Sequence, residues 1–306
     1  MPALTPNLRG ALLSLAAFCA YACCDVVIKG MGQNLHAFQV VLTSALCTLP
    51  WIIGQILMKD RASGLRPVYP GWMALRILIV VVNATLVTYT FGHLPLAQCY
   101  AIFFTMPLMI TVFAWPLLGE SIDPMRGLIV LIGFCGVLIA LRPTEVTFQF
   151  AHLTAIGGAT LGALNSLMLR KIGHREKSGV ILLYPALGQI FIMALLVPGV
   201  YRPMTPLDWG LAGAVGVLST YGGLFVIAAY RLAPAIVVAP MQYSQIIWAS
   251  ILGMIFFQEH MPLQTALGIA IIIAAGLTLL FQANRGAAPK STADLTNAPG
   301  THPPIK

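Results

Sequence analysis

Charge is what this sequence lacks. Only 8% of its 306 residues are charged, nine of them acidic, whereas a soluble globular domain carries roughly 25% charged residues. That shortage excludes a water-soluble fold. Nine acids are also too few to build the grouped acids, histidines and activated nucleophile that a membrane-embedded enzyme needs near one interface. No HExxH or HxxxH pattern occurs, and all six histidines fall at the edges of apolar runs, in loops or in the C-terminal tail. No metal centre or cofactor is expected. The six cysteines (Cys19, Cys23, Cys24, Cys47, Cys99 and Cys135) sit inside apolar runs without a CxxC pair, so they read as small buried packing residues rather than as disulfides or zinc ligands. The formal charge of +8 comes without an RNP, zinc-finger or helix-turn-helix signature, which excludes a nucleic-acid partner. There are no rings of charge or repeated filter sequence, as a channel would need.

What the sequence has is hydrophobic length. Apolar residues make up 58% of the chain and come in runs of about 20, enough to cross a ~30 Å hydrocarbon core. Ten spans are predicted, at roughly 9–30, 36–58, 72–92, 95–117, 124–142, 152–170, 178–199, 207–230, 234–257 and 262–282. Arg9, the run from Ala11 to Cys24 and Ala20-Tyr21-Ala22 imitate a secretory signal. The apolar run continues through Val26, Val27 and Ile28, however, and has a counterpart later in the chain, so it is read as the first span. Residues 284–306, polar and rich in Pro, Ala and Thr, are expected to form a disordered cytoplasmic tail.

With the N-terminus placed in the cytoplasm, fourteen Lys and Arg residues fall on the inner side. Only Lys29, Arg142 and Arg202 fall outside. This is a strong positive-inside bias; it predicts a multi-pass protein of the inner (plasma) membrane with both termini cytoplasmic.

The chain also repeats itself. Leu94-Pro95-Leu96-Ala97 opens the fourth span, which ends at Gly119-Glu120; Ala233-Pro234-Ala235 opens the ninth, which ends at Gln258-Glu259. A shift of 139 superposes Pro95 on Pro234 and Glu120 on Glu259, and a shift of 142 places Ala16, Ala20 and Lys29 on Gly158, Gly162 and Lys171. Each unit has five spans, an odd number, so the two must lie upside down relative to one another. Carriers are commonly built on such inverted repeats, with the substrate site near mid-membrane between the halves.

These residues resemble the drug/metabolite transporter superfamily, and within it the ten-helix EamA group. The resemblance lies in the entry Leu94-Pro95-Leu96-Ala97, Pro107 within the fourth span, the exit Leu118-Gly119-Glu120, and Gly136-Val137-Leu138 closing the unit. It extends from Leu8 to about Gln282. Asn7-Leu8-Arg9-Gly10, Asp25 and Lys29 are similar to a bacterial branch that includes uptake carriers for S-adenosylmethionine-like and riboflavin-like metabolites; other members export amino acids, aromatic ones included. The implied fold is an all-α integral membrane protein of ten transmembrane helices in two inverted five-helix repeats. The first EamA repeat would occupy residues 1–143 and the second 144–283. The implied function is alternating-access transport of a small organic metabolite: an apolar or aromatic amino acid moved outward as first choice, or an S-adenosylmethionine-, nucleoside- or riboflavin-like compound taken up. The second half lacks the proline at Ile246 and the glycine at Gln258, which leaves a symmetric helix break without support.

Asp25 is the only acid well inside a span, and such a group is a functional hypothesis by default; it is a candidate for substrate binding or proton coupling. Its alternative is a structural pair with Lys29, four residues on and on the same helix face. Glu120 and Glu259 each precede a helix start and read as organisers of helix N-termini. Tyr100, Phe103, Phe104 and Pro107 share one helical face, and their partners at the 139 shift are Ala239, Gln242, Tyr243 and Ile246. Asn83, Asn165, Tyr21, Ser219, Thr220 and Tyr221 are mid-span polar groups that bind either substrate or a neighbouring helix. The predicted substrate-binding set is Tyr21, Asn83, Tyr100, Phe104, Asn165, Tyr221 and Tyr243, with Gly158, Gly162, Gly222 and Gly223 easing helix sliding. With no Lys or Arg at that depth, a strongly anionic substrate is disfavoured. The expected partners are a small-molecule substrate and membrane lipid, with a monomer as the working unit. Cysteines introduced at Lys59 or Arg175 should resist a membrane-impermeant maleimide in intact cells, and one at Arg202 should react; labelling at the first two would overturn the topology.

Overall fold

The computed structural model describes residues 6–59, 65–118, 124–141, 149–172, 175–233 and 238–286. Their helices, in chain order, are α1 (Pro6–Asn34), α2 (Ala37–Lys59), α3 (Pro70–His93), α4 (Leu96–Phe103), α5 (Met106–Leu118), α6 (Pro124–Leu141), α7 (Phe150–Ile172), α8 (Ser178–Leu196), α9 (Pro206–Leu232), α10 (Ser244–Phe257) and α11 (Leu263–Gly286). Short 3-10 turns follow α8 at Val197–Gly199 and precede α10 at Ala239–Tyr243. The protein is an all-α membrane fold, and among the described residues the helices account for the ten expected spans. By length and apolarity, α1, α2, α3, α8 (with its 3-10 turn) and α9 can each cross a bilayer unaided. The rim of the bundle is apolar: Leu131, Leu138, Phe191, Leu195 and Ile255 are exposed, as residues facing lipid should be.

The helix pairs show the two halves. The first span (α1) lies along the eighth (α9), and the sixth (α7) lies along the third (α3). Exchanging the halves turns one pair into the other. The same exchange relates α1 against α10 to α7 against α5, and maps α2 against α8 and α6 against α11 onto themselves. Five spans per half make this pseudo-twofold an inverting one.

Proline sets the corners. Leu94 is extended (φ −116°, ψ 153°) because Pro95 follows it, and Ala233 before Pro234 matches it at φ −139°, ψ 149°. The α9 start is held by a capping box in which Thr205 and Asp208 satisfy one another's backbone N–H groups.

The fourth span is two helices rather than the continuous one expected. α4 stops at Phe103, Thr105 N–H turns back to Ile102 O, and α5 starts at Met106. Pro107 cannot donate to Phe103 O, so the regular ladder lapses there. The ninth span also breaks, at the junction of Tyr243 and Ser244, which is Phe104 and Thr105 shifted by 139. The missing proline at Ile246 therefore does not prevent a matching break; a 3-10 turn carrying Pro240 makes it. α11 continues to Gly286, beyond the expected end at 282, and the remainder of the tail lies outside the described residues. Only Cys24 and Cys99 are buried; Cys19, Cys23 and Cys47 are half-buried and Cys135 is exposed, against the expectation that all six cysteines are buried.

Small residues let helix axes meet. A Cβ on Gly136 of α6 would come 2.9 Å from Gly268 O of α11 and 3.0 Å from Ile271 Cγ2, while one on Gly127 of α6 would meet nothing within 4 Å. Gly136→Ala should therefore destabilise by about 1–3 kcal/mol through overpacking, whereas Gly127→Ala should be neutral or stabilise by up to about 1 kcal/mol through backbone entropy. Melting in detergent checks the opposite signs.

Candidate functional site

A cavity of about 390 Å³ lies between the halves, where both broken spans meet α1, α3 and α7. Its size fits the 300–1,000 Å³ typical of ligand pockets. One wall is aromatic. Phe91, Tyr100, Phe103, Phe104 and Tyr243 line it with consecutive ring centroids 5–6 Å apart, among them Phe91 to Phe103 at 5.6 Å, Tyr100 to Phe104 at 5.7 Å and Phe104 to Tyr243 at 5.2 Å. Gly276 of α11 leaves the space that the Tyr243 hydroxyl fills.

The polar groups are few and all acidic or neutral. Asp25, Asn83, Gln242, Gln245 and Ser166 line the cavity; among the described residues no Lys, Arg or His does. Asp25 accepts from the Tyr100 hydroxyl and from Gln245 Nε2 (3.0 Å), and Gln245 Nε2 also reaches the Tyr100 hydroxyl at 3.1 Å. Three elements thus meet at one carboxylate: α1, α4 and the first turn of α10. Such charge-assisted bonds offset the cost of holding a carboxylate at depth. The buried Asn83 Oδ1 has no hydrogen-bond partner; it lies beside the position of Gly158 on α7, and the Asn83 Nδ2 beside that of Gly162. The residue lines the cavity, and its free acceptor lies in the cavity wall.

The expected pair of Asp25 with Lys29 is not formed. Lys29 Nζ instead bonds Glu259 Oε1 at 2.9 Å, Leu94 O at 2.6 Å and Phe91 O at 3.1 Å, and lies 5.2 Å from the Phe257 ring centre. The i, i+4 spacing puts both groups on one helix face, but tertiary partners outbid the local contact. Glu259 organises a helix N-terminus, as expected of it, but that of α4: its Oε2 accepts from Leu96 N at 2.9 Å. Glu120 lies outside the described residues.

Of the predicted binding set, Asn83, Tyr100, Phe104 and Tyr243 come together around the cavity with Asp25. The other three lie elsewhere. Tyr21 packs its ring on Gly222 in the seam between α1 and α9. Tyr221 is 46% exposed and turns outward to Trp51 and Phe225. Asn165 is half-buried with its buried Oδ1 unpartnered and is not among the lining residues. Phe103 and Pro107, on the aromatic face read from the sequence, do line the cavity, as does Gln242. Gln245 was not anticipated, although it is an amide inside an apolar run, one helical step from Gln242 and equivalent to the lining residue Met106 at the 139 shift.

The pattern of the EamA-like transporter family matches residues 8–142 and again 149–281. The chain is similar to a riboflavin transporter of Vibrio cholerae, with 27% identity over 270 residues covering 87% of this chain and 91% of the relative. An S-adenosylmethionine uptake transporter of Rickettsia prowazekii is 25% identical over 295 residues, covering 94% and 98%. The pseudopaline exporter CntI of Pseudomonas aeruginosa is 24% identical over 273 residues, covering 88% and 95%. A solved structure described only as a protein superposes with a TM-score of 0.62 at 17% identity, covering 89% of this chain and 97% of the other, and so shares its fold. With both halves matched by one family pattern over nearly their whole length, the chain belongs to the EamA-like transporter family.

Proposed function

We propose that this transporter takes up a flat heteroaromatic metabolite bearing N–H donors or a positive charge, of the S-adenosylmethionine, nucleoside or riboflavin type. The observation that carries the reading is the cavity's chemistry: an aromatic wall for stacking, with a carboxylate (Asp25) and an orphan amide oxygen (Asn83) as acceptors. A heteroaromatic ring with donors on its edge satisfies both sides. Riboflavin and S-adenosylmethionine, named for two of the relatives, are compounds of this kind. An amino acid moved outward, the other expectation, fits less well: its ammonium suits Asp25, but its carboxylate meets only amide and hydroxyl donors, with no cation among the described lining residues.

In this reading the Arg175 side is cytoplasmic, the membrane is the inner membrane, and a single chain suffices. Asp25 binds substrate; the halves rock about the cavity to expose it alternately. Since Tyr100 and Gln245 already satisfy Asp25, no proton needs to move with each cycle, and the carrier is a facilitator.

Counterflow in proteoliposomes tests this. Labelled S-adenosylmethionine, riboflavin, adenosine and tryptophan should separate, with saturable exchange for a member of the first three. Asp25→Asn and Tyr243→Ala should each raise the half-saturating concentration about tenfold, the ~1.4 kcal/mol equivalent of one charge-assisted hydrogen bond or ring contact. Exchange of tryptophan alone would return the amino-acid reading. Accumulation driven by a pH gradient, and lost in Asp25→Asn, would make that carboxylate a proton coupler.

A further inference from the structure

Lys29 and Glu259 form a buried ion pair that the substrate cavity does not contain. Lys29 is one helical turn from Asp25 on α1, on the side toward Asn34, whose carbonyl accepts from Arg202 Nη1. Leu96, which Glu259 caps, is one turn before Tyr100 on α4. The two contacts are therefore successive rungs between the same helices. The lower rung is Asp25, Tyr100 and Gln245, in the cavity wall. The upper rung is Lys29, Glu259 and Leu96 N, between the cavity and the Arg202 face. Gln245 and Glu259 lie at the start of α10 and just past its end, so three elements are tied at both levels.

The chain is bent to make the upper rung. Gln258 adopts the left-handed conformation (φ 54°), and the N–H groups of Gln258 and Glu259 both return to Gly253 O. This turn folds Glu259 back over the last turn of α10. A side chain with a β-carbon strains in that conformation; the equivalent position in the first half, at residue 119, is glycine. Gly253 leaves room for the carboxylate, since a Cβ there would sit 2.7 Å from Glu259 Oε2. On the opposite face Lys171, the counterpart of Lys29, is exposed and rests on the Trp72 ring at 4.5 Å.

We propose that the Lys29–Glu259 pair closes the cavity on the Arg202 face and holds Tyr100 in register with Asp25, and that it must separate for substrate to pass that face. The halves of the pair belong to different repeats, so their rocking apart breaks it. Separation frees Leu96 N together with the two charges, since Glu259 holds both, while Lys29 keeps its bonds to Phe91 O and Leu94 O within its own repeat; losing both Glu259 contacts at once makes closure all-or-none rather than gradual. The proposal rests on the cavity being the transport path, not on which compound passes, and its test uses no substrate.

The experiment places a cysteine at Val87, a cavity-lining residue of α3, and follows its modification by a membrane-impermeant maleimide applied to the Arg202 face. Peptide mass spectrometry distinguishes it from the native cysteines. Glu259→Gln keeps an acceptor for Leu96 N but removes the charge, and should speed labelling at least about tenfold. Gly253→Ala displaces the carboxylate while leaving every charge in place, and should do the same; it stands in should Glu259→Gln fail to insert. Lys171→Gln should leave the rate within about twofold of the parent. Unchanged rates in the inserted Glu259 and Gly253 variants would overturn the proposal, as would an equal rise in Lys171→Gln, which would mean general loosening.

Discussion

Two opposite charges on one helix, four residues apart and both within the apolar bundle, set the terms for the rest of this structure. Neither Asp25 nor Lys29 can stand unpaired in hydrocarbon, where a lone charge costs about 2.5–3.5 kcal/mol or more. The short route, pairing with each other, would satisfy the charges and tie nothing else down. Each instead finds its partner on other helices: Asp25 on α4 and α10, Lys29 on the α3–α4 corner and beyond α10. Satisfying one helix thus fixes the relative position of three spans. A buried pair is weak evidence for stability but strong evidence for a fixed geometry, because removing one partner strands the other.

Both broken spans belong to the same constraint. An unbroken fourth helix would carry its backbone bonds straight past the cavity. Stopping α4 at Phe103 and restarting at Met106 opens the wall where Phe103, Phe104, Met106 and Pro107 all face inward. Irregular backbone is tolerated at membrane depth only where protein or a cavity surrounds it. The matching break before Ser244 brings the first turn of α10, and with it Gln245, to Asp25.

The architecture was legible in the sequence because its causes are coarse: apolar runs of bilayer length and corner prolines that recur at a fixed shift. The lining of the cavity was legible where a residue's type and its helical face sufficed, as for Asp25, Tyr100, Phe104 and Tyr243. It was not legible where rotation about a helix axis decides. Tyr21 and Tyr221 are as mid-span and as aromatic as Tyr243, but one faces a glycine seam and the other faces outward, and no local pattern distinguishes the three. The Lys29–Glu259 contact spans most of the chain, and the favourable i, i+4 spacing of Asp25 and Lys29 pointed to the wrong partner.

Departures from the repeat, rather than the repeat itself, mark where the two halves differ in duty. Asp25 and Gln245 have no acidic or amide equivalent in the other half: their counterparts are Leu167, buried among α7 packing contacts, and Met106. Gln258 replaces a glycine and accepts left-handed strain to aim Glu259. Lys29 is buried and four times engaged, while Lys171, its equivalent, is exposed against a tryptophan ring. A symmetric pair of halves would bind a symmetric ligand equally from either. One carboxylate on α1, an amide on α3 and a ladder on a single face make the cavity lining unequal between the halves, and the binding of substrate proposed above rests on that inequality.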